Sequence, residues 1–283
     1  MRRHWAALAA GALLPVSAAA LTVCADPNNL PFSNRARQGF ENHLAALLAR
    51  DLGQPLTYHW WAQRRGFARE SFAQAHCDLW PGVATGLKSL ATTEPYYRST
   101  YVFVSRASSA LEGLTLDDPR LRQLRVGVQL IGDDAMNTPP AHALARRGIT
   151  RNVRGFMLYG DYRRPDPPAA IIAAVADGTV DVALAWGPLA GYFAARAPVA
   201  QRIEPVRPQF DAGWPMVYAI SLGVRKDEPQ LRERLNGVLR AERGTIAALL
   251  QHYRVPGSAP ASLAQAGGAH SAAAALRAAA GPR

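Results

Sequence analysis

Hydrophobic residues recur along the chain with strand and helix periods in alternation. The apolar run LTVCA (21–25) is typical of a buried strand and ends in the turn-rich segment DPNNLPFS. Between 39 and 53 the apolar residues follow the helical period, and Gly53 suits a C-cap. Further strands are predicted at LTYHWWA, CDLWPGV and YYRSTYVFVSR, with a short helix at RGFARESFAQA. This rhythm predicts a parallel sheet with functional loops at the C-terminal ends of its strands.

A second set of alternating elements follows the segment DDPRLRQL. Its predicted strands are RVGVQL, VRGFML and DVALAW, and its predicted helices are PPAHALARRG, PPAAIIAAVADG and GPLAGYFAARA. A strand then returns at PMVYAISLGVRKD, and the longest amphipathic pattern, 228–253, predicts one helix.

The return of a strand and a helix after the second unit indicates two α/β lobes joined by two hinge crossovers, near 105–109 and 214–220. A cleft between two such lobes is a natural binding site. We therefore predict a bilobal α/β fold, with lobe 1 at 21–105 and 220–256, lobe 2 at 106–219, and a low-complexity tail at 257–283.

The first twenty residues have the pattern of a secretory signal peptide. MRRHW is basic, AALAAGALLPVSAAA is apolar, and the alanines at 18–20 fit a cleavage site. The apolar run is about 16 residues long and contains Pro15, so it is too short to predict a membrane span. We expect an exported, periplasmic protein that loses residues 1–20 and is not embedded in a membrane.

The chain is strongly basic, with a formal net charge of +11, or about +9 without Arg2 and Arg3 of the signal peptide. Such a surplus favours an acidic partner, a membrane surface or nucleic acid. The sequence has no Lys/Arg-rich block and no nucleic-acid-binding motif, so nucleic acid is not expected. Most arginines are expected on solvated helix faces, and a docking surface for an acidic partner is the alternative.

Cys24 and Cys77 are the two cysteines of the chain. An even count in an oxidising compartment favours one disulfide, and two buried free thiols are the alternative. The spacing of the cysteines and of the histidines near them does not match a metal-site pattern. The sequence also lacks HExxH, GxSxG and GxGxxG patterns. We therefore predict neither an enzyme nor a bound cofactor or metal.

Six long motifs between Leu21 and about Pro256 carry a family resemblance. They are VCADPNNLPFSN, QRRGF, PYYRSTYVFV, GVQLIGDDAMNTPPAHALARRG, YGDYRRPDPP and VDVALAWGPLAGYFA. Through them the chain resembles type II periplasmic solute-binding proteins, and more narrowly the solute-binding-like proteins associated with PQQ-dependent (quinoprotein) methanol dehydrogenases. One departure from the family pattern is CDLWPGVATGLKSL, where Trp80-Pro81 alters the strand.

The resemblance implies a non-catalytic periplasmic accessory protein of methanol oxidation. Its implied partner is a PQQ-dependent methanol dehydrogenase, which it binds and assists in maturation or activation, and the cytochrome c of that enzyme is a further candidate. We expect a monomer or a weak dimer. The resemblance also implies the disulfide Cys24–Cys77, since the family carries both cysteines. A solute receptor of an ABC importer, binding a small polar ligand in the cleft, is the alternative.

The resemblance also locates the anchors with which amino-acid receptors hold their ligand. The arginine that clamps the ligand carboxylate falls on Gly86, with Lys88 near it but out of register, and a hydrogen-bond donor of the lobe 2 turn falls on Asp133. The aspartate that binds the amine falls near Trp186 and Gly187. All three anchors differ, so the resemblance does not imply a grip on an amino acid.

Asp133 and Asp134 lie in the turn between a predicted strand and a predicted helix, where backbone N–H groups favour anions. We interpret Asp133 as a cap of those N–H groups. Contact with a cation or a basic partner group is an alternative, and calcium coordination is a weaker one, because DDAMN lacks a calcium-loop pattern.

The remaining candidates follow the ends of other strands. Arg64 and Arg65 suit an anionic group or an acidic partner loop, although at least one is expected to point to solvent. Tyr159, Tyr162 and Trp186 are interpreted as packing or contact residues. The candidate cleft residues are Asp26, Asn28, Asn29, Gln63, Arg64, Arg65, Gly132, Asp133, Asp134, Tyr159, Tyr162 and Trp186.

Overall fold

The computed structural model describes residues 19–63, 66–131, 137–157 and 163–257. Its strands are β1 (Leu21–Ala25), β2 (Asn28–Asn29), β3 (Ser33–Asn34), β4 (Leu56–Trp60), β5 (Leu79–Ala84), β6 (Ala91–Thr92), β7 (Tyr97–Arg106), β8 (Val126–Leu130), β9 (Val153–Met157), β10 (Val182–Trp186), β11 (Gln201–Pro205), β12 (Phe210–Asp211), β13 (Trp214–Pro215) and β14 (Val217–Val224). Its helices are α1 (Phe40–Asp51), α2 (Pro139–Arg146), α3 (Ala170–Ala176), α4 (Gly187–Ala194), α5 (Pro229–Ala241) and α6 (Arg243–His252), with shorter helical turns at Ala68–Phe72, Pro119–Arg122 and Pro167–Ala169.

The main sheet has the strand order β4-β1-β5-β14-β7-β10-β8-β9. On the lobe 1 side β1 pairs in parallel with β4 and β5, and on the lobe 2 side β8 pairs in parallel with β9 and β10. The antiparallel strands β7 and β14 join the two sides. The predicted parallel pairing of consecutive strand–helix units is therefore present within each lobe.

The long strand β7 belongs to both lobes. Residues 97–100 pair with β14, whereas residues 101–106 pair with β10 and β11. This change of partner supports a lobe boundary inside β7, and the lobe ranges 21–105, 220–256 and 106–219 stay a prediction.

The helix predicted over 228–253 is two helices in the structure. Glu242 separates them, because its backbone angles (φ −96°, ψ 17°) lie outside the helical range. The bend allows Ile246 and Leu250 of α6 to enter the core of lobe 1, which α1 also lines. The strand β11 was missed because its residues are only half-buried and carry no clear alternation.

Apolar side chains form a core on the lobe 1 side and a core on each face of the lobe 2 sheet. Cys24 and Cys77 form the expected disulfide, with Cα atoms 5.4 Å apart, and fasten β1 to the segment before β5. Within the described parts of the chain, no helix has both the length and the apolar character needed to cross a membrane. The predicted signal peptide (apart from residues 19 and 20) and the predicted tail beyond Gly257 lie outside the described residues.

The lobes meet where α4 packs against the segment that follows α6. An ideal Cβ on Gly191 would lie 1.9 Å from the carbonyl oxygen of Arg254, so the helix backbone touches this segment directly. Tyr192 of α4 stacks on Tyr253 with ring centroids 5.6 Å apart. The contact requires glycine at position 191, because a side chain there would separate the two surfaces.

Candidate functional site

The candidate site lies where the parallel strands of both lobes end. β1 and β4 end at Ala25 and Trp60 in lobe 1, and β8, β9 and β10 end at Leu130, Met157 and Trp186 in lobe 2. The loops that follow these ends carry the residues predicted for the cleft. Of these, Arg64, Arg65, Gly132, Asp133, Asp134, Tyr159 and Tyr162 lie outside the described residues.

Asp26 directly follows β1 and has only 2% of its surface exposed. Its carboxylate accepts hydrogen bonds from the backbone N–H groups of Asn28, at 2.8 Å, and Gln63, at 2.7 Å. The side-chain amide of Asn29 donates to the side-chain oxygen of Gln63 at 3.2 Å. Four of the predicted residues are thus brought together, and Asp26 ties the end of β1 to the loop after β4.

Asn28 reaches from lobe 1 to lobe 2. Its side-chain amide donates a hydrogen bond to the backbone carbonyl oxygen of Arg164 at 2.9 Å. Because the acceptor is a backbone atom, the identity of residue 164 gave no signal in the sequence. The bond places protein atoms of both lobes in contact at the opening where a ligand would enter.

Trp186 ends β10 and packs at the junction of the lobes rather than at an open rim. Its ring lies edge-on to Tyr101 of β7, with centroids 5.1 Å apart, and to Tyr218 of β14, at 6.0 Å. Its backbone N–H donates to the side-chain oxygen of Gln129 at 2.8 Å. These contacts favour a packing role for Trp186 over a role in contacting a ligand or partner.

The structure adds Glu41, which sequence reasoning missed. This side chain of α1 is 8% exposed and lies against Gly82, where an ideal Cβ would be 2.5 Å from the Glu41 Oε1. Burial, and then the charge of Asp26, raise the pKa of Glu41 to about 8. Glu41 is therefore largely protonated at neutral pH. The available signal was its position one helical turn before Leu44 on the apolar face of α1.

Two glycines occupy the positions at which the resemblance places receptor anchors. Gly86 is exposed, its backbone N–H donates to the Thr92 hydroxyl at 3.1 Å, and no neighbouring group in the described part of the chain lies within 4 Å of an ideal Cβ. At Gly187 an ideal Cβ would be 2.7 Å from both the Ser99 hydroxyl and the Thr100 carbonyl oxygen. Position 86 thus offers no cation, and position 187 has no room for an acid.

Three exposed apolar side chains lie at or directly after the strand ends that carry the candidate site. Trp61 follows β4, Ile131 follows β8 and Met157 ends β9, with 39%, 36% and 53% of their surfaces exposed. Among the residues that the structure describes, no group of three or more His, Cys, Asp or Glu is placed to hold a metal ion.

Comparisons with known proteins find no matching family model. The chain is 34% identical to the periplasmic binding protein XoxJ from Methylobacterium extorquens AM1, covering 83% of this chain and 98% of that one with a TM-score of 0.68. It is 25% identical to MxaJ from Methylophaga aminisulfidivorans MPT, covering 83% and 99%, with a TM-score of 0.73. It is also 28% identical to the protein MoxJ of Methylorubrum extorquens, covering 84% and 82%.

Proposed function

The chain belongs to the family of the periplasmic binding protein XoxJ and has the type II periplasmic binding protein fold, and from this premise we propose that it is a periplasmic accessory protein of methanol oxidation. In this role it binds a PQQ-dependent methanol dehydrogenase and assists its maturation or activation, without catalysing a reaction itself. The relatives named MoxJ, XoxJ and MxaJ support the link to methanol oxidation. The proposed export through a signal peptide at 1–20 places the protein in the same compartment as its partner.

The loss of two receptor anchors carries this proposal. A receptor for an amino acid needs a cation to bind the ligand carboxylate and an acid to bind its amine. Without these groups, each ligand charge would be buried unpaired, which is strongly unfavourable. Gly86 and Gly187 supply neither group. The scaffold of a receptor thus lacks two of the groups that would hold such a ligand.

The apolar rim supports a macromolecular partner. Trp61 follows a strand of lobe 1, Ile131 and Met157 lie at strand ends of lobe 2, and all three are exposed; aromatic and methionine side chains are enriched in protein–protein interfaces. We propose that the partner contacts this opening. The residues there that the structure does not describe, Arg64, Arg65, Asp133, Asp134, Tyr159 and Tyr162, remain candidates for the same contact.

The alternative is a solute receptor of an ABC importer. It differs from the leading proposal in what it predicts for small molecules. In isothermal titration calorimetry, we expect amino acids, PQQ and lanthanide salts to give no micromolar binding. Micromolar affinity for one of them, with a smaller radius of gyration in its presence, would favour the receptor.

The decisive experiment is co-purification of the tagged full-length protein from the periplasm of its own bacterium. We expect the methanol dehydrogenase to co-purify, and a strain lacking the protein to lose dehydrogenase activity that returns when the wild-type protein is supplied. Full activity in that strain, with no dehydrogenase bound to the tagged protein, would overturn the proposal. A tagged periplasmic protein without this fold controls for capture by the tag.

A further inference from the structure

The strand β4 lies at one edge of the main sheet and pairs, within the described residues, with β1 alone. Its ladder fixes which peptide groups face outward. The carbonyl oxygen of Pro55 accepts from the Leu21 N–H, and the N–H of Trp61 donates to the Ala25 carbonyl oxygen. Because alternate residues of a strand point their peptide groups to opposite sides, the groups of residues 56, 58 and 60 face away from β1.

Two arginines cover the aromatic rings of β4, which stand on one face of the sheet beside this edge. Tyr58 and Trp60 stack with centroids 4.6 Å apart and planes 16° from parallel. The guanidinium carbon of Arg37 lies 5.2 Å from the centre of the Tyr58 ring, and that of Arg35 lies 5.9 Å from the centre of the Trp60 ring. These stacking contacts restrict the two arginine side chains, so less rotational freedom is lost when the guanidinium groups bind an anion.

The charges of this pair are not neutralised by the described part of the chain. Both arginines are exposed, and no carboxylate among residues 19–63, 66–131, 137–157 and 163–257 forms an ion pair with either of them. Arg50 and Arg69 differ in this respect, since Arg50 pairs with Asp51 at 2.7 Å and Arg69 with Glu70 at 2.7 Å. Arg35 and Arg37 therefore offer two positive charges to a second molecule.

Within β4 itself, residues 56–60 include no proline, no Lys, Arg, Asp or Glu, and no bulge. Natural sheets protect exposed edges with charged residues, proline or bulges, whereas β4 has the sequence LTYHW and runs in unbroken register with β1 from Leu56 to Trp60. An extended segment can add to such an edge through backbone hydrogen bonds, with side chains alternating between the two faces.

We propose that the outer edge of β4, together with Arg35 and Arg37, is the docking site for an extended acidic segment of a partner protein. The segment pairs with the peptide groups of residues 56, 58 and 60, and its carboxylates, one at every second residue, bind the two guanidinium groups. The proposal rests on the proposed function, for which it names one contact surface. The proposal also gives a function to two of the exposed arginines of this basic chain.

A short synthetic peptide that alternates Asp and Thr tests the surface, with the tryptophan fluorescence of the full protein as the readout. We expect saturable binding that weakens with added salt, at least about tenfold weaker binding to the Arg35→Gln/Arg37→Gln variant, and none for a peptide N-methylated on alternate amides. An Arg234→Gln/Arg243→Gln variant removes the same charge from two exposed positions elsewhere and is expected to bind as the wild type does.

Three outcomes would overturn the inference. They are failure of the acidic peptide to bind, equal binding of a peptide that alternates Lys and Thr, and equal weakening in the Arg234→Gln/Arg243→Gln control. Circular dichroism of each variant shows whether it is folded.

Co-purification separates this inference from the proposed function. If the dehydrogenase binds the wild type and the Arg35→Gln/Arg37→Gln variant equally, the docking surface is wrong and the proposed function stands. If the dehydrogenase binds neither protein while the acidic peptide still binds the wild type, the proposed function is wrong and the surface serves another acidic partner.

Discussion

The side-chain amide of Asn28 donates a hydrogen bond to the backbone carbonyl oxygen of Arg164, which lies 136 residues further along the chain. Asn28 belongs to the loop that Asp26 organises in lobe 1, and Arg164 precedes the helical turn Pro167–Ala169 in lobe 2. One hydrogen bond thus connects the two sides of the cleft opening.

Replacing Asn28 by Ala tests whether this bond holds the lobes together. A hydrogen bond of this kind contributes about 0.5–1.5 kcal/mol, which is enough to change the ratio of closed to open molecules several-fold. We expect Asn28→Ala to increase the radius of gyration measured by small-angle X-ray scattering.

The matched control is Asn34→Ala, which removes an amide of the same loop region. Among the described residues, the Asn34 side chain bonds to Gln38 of lobe 1, and its backbone N–H, which the substitution keeps, donates to Asn42. An increase in radius of the same size in both variants would mean that the loop, rather than the bridge to Arg164, sets the lobe separation.

The buried carboxyl of Glu41 makes stability depend on pH. Its pKa is about 8 in the folded protein, against an ordinary value of 4.5. Between these values the folded chain keeps a proton that the unfolded chain has lost. The free energy of unfolding therefore falls by up to about 1.4 kcal/mol for each unit by which the pH rises. Below pH 4.5 both states are protonated, and Glu41 has no effect on this balance.

We therefore expect Glu41→Gln to become steadily more stable relative to the wild type between pH 5 and pH 8, by about 4 kcal/mol over that range. Urea unfolding at several pH values measures the difference. Glu233→Gln is the control. The hydrogen bond from Arg240 lowers the pKa of Glu233, so Glu233 stays charged throughout this range and its replacement should give a difference that does not change with pH. A constant difference between Glu41→Gln and the wild type would contradict the assignment.

Glycine at position 191 is required by the contact between α4 and Arg254. A methyl group there meets a carbonyl oxygen, so we expect Gly191→Ala to lower the free energy of unfolding by about 1–3 kcal/mol. Gly237 of α5 has open space around an ideal Cβ, and Gly237→Ala should instead stabilise by about 0.5–1 kcal/mol. Urea denaturation of both variants gives the comparison, and stabilisation by Gly191→Ala would show that the contact is loose.

The disulfide between Cys24 and Cys77 closes a loop with a sequence separation of 53. The chain-entropy relation for such a loop gives about 4 kcal/mol of stabilisation. We expect the Cys24→Ser/Cys77→Ser variant to unfold at a correspondingly lower urea concentration. The wild type treated with a thiol reductant should approach the same midpoint, and an unchanged midpoint after complete reduction would contradict the prediction.

The sequence could predict features that depend on neighbours along the chain. The strand LTVCA and the helix that begins after Gly39 were correct because hydrophobic period and glycine position act locally. Glu242 shows the limit of such reasoning, since the one helix-weakening residue close to it, Gly244, is tolerated inside many helices and does not by itself predict a bend. The bend arises because α6 must bury Ile246 and Leu250 against lobe 1, which is a tertiary demand.

The candidate site shows the same division. Its location at the strand ends followed from the β/α order, which placed Asp26, Asn29 and Gln63 in one cluster. The bridge from Asn28 to Arg164 uses a backbone acceptor, and a backbone carbonyl has no signature in the sequence. Burial of Glu41 was visible only as an acid on an apolar helix face, a position that a solvated helix end also tolerates.

The pairing of β14 with both β5 and β7 sets an order for folding after export. The strands of lobe 2 from β8 to β11 follow one another along the chain, so they can assemble on β7 once Met216, which completes the apolar core of that lobe, has been exported. Lobe 1 must wait for residues 217–224, because until then the edges of β5 and β7 are open. The nascent protein therefore passes through a stage with one finished lobe and one unfinished lobe, and that unfinished sheet is where a chaperone has most to protect.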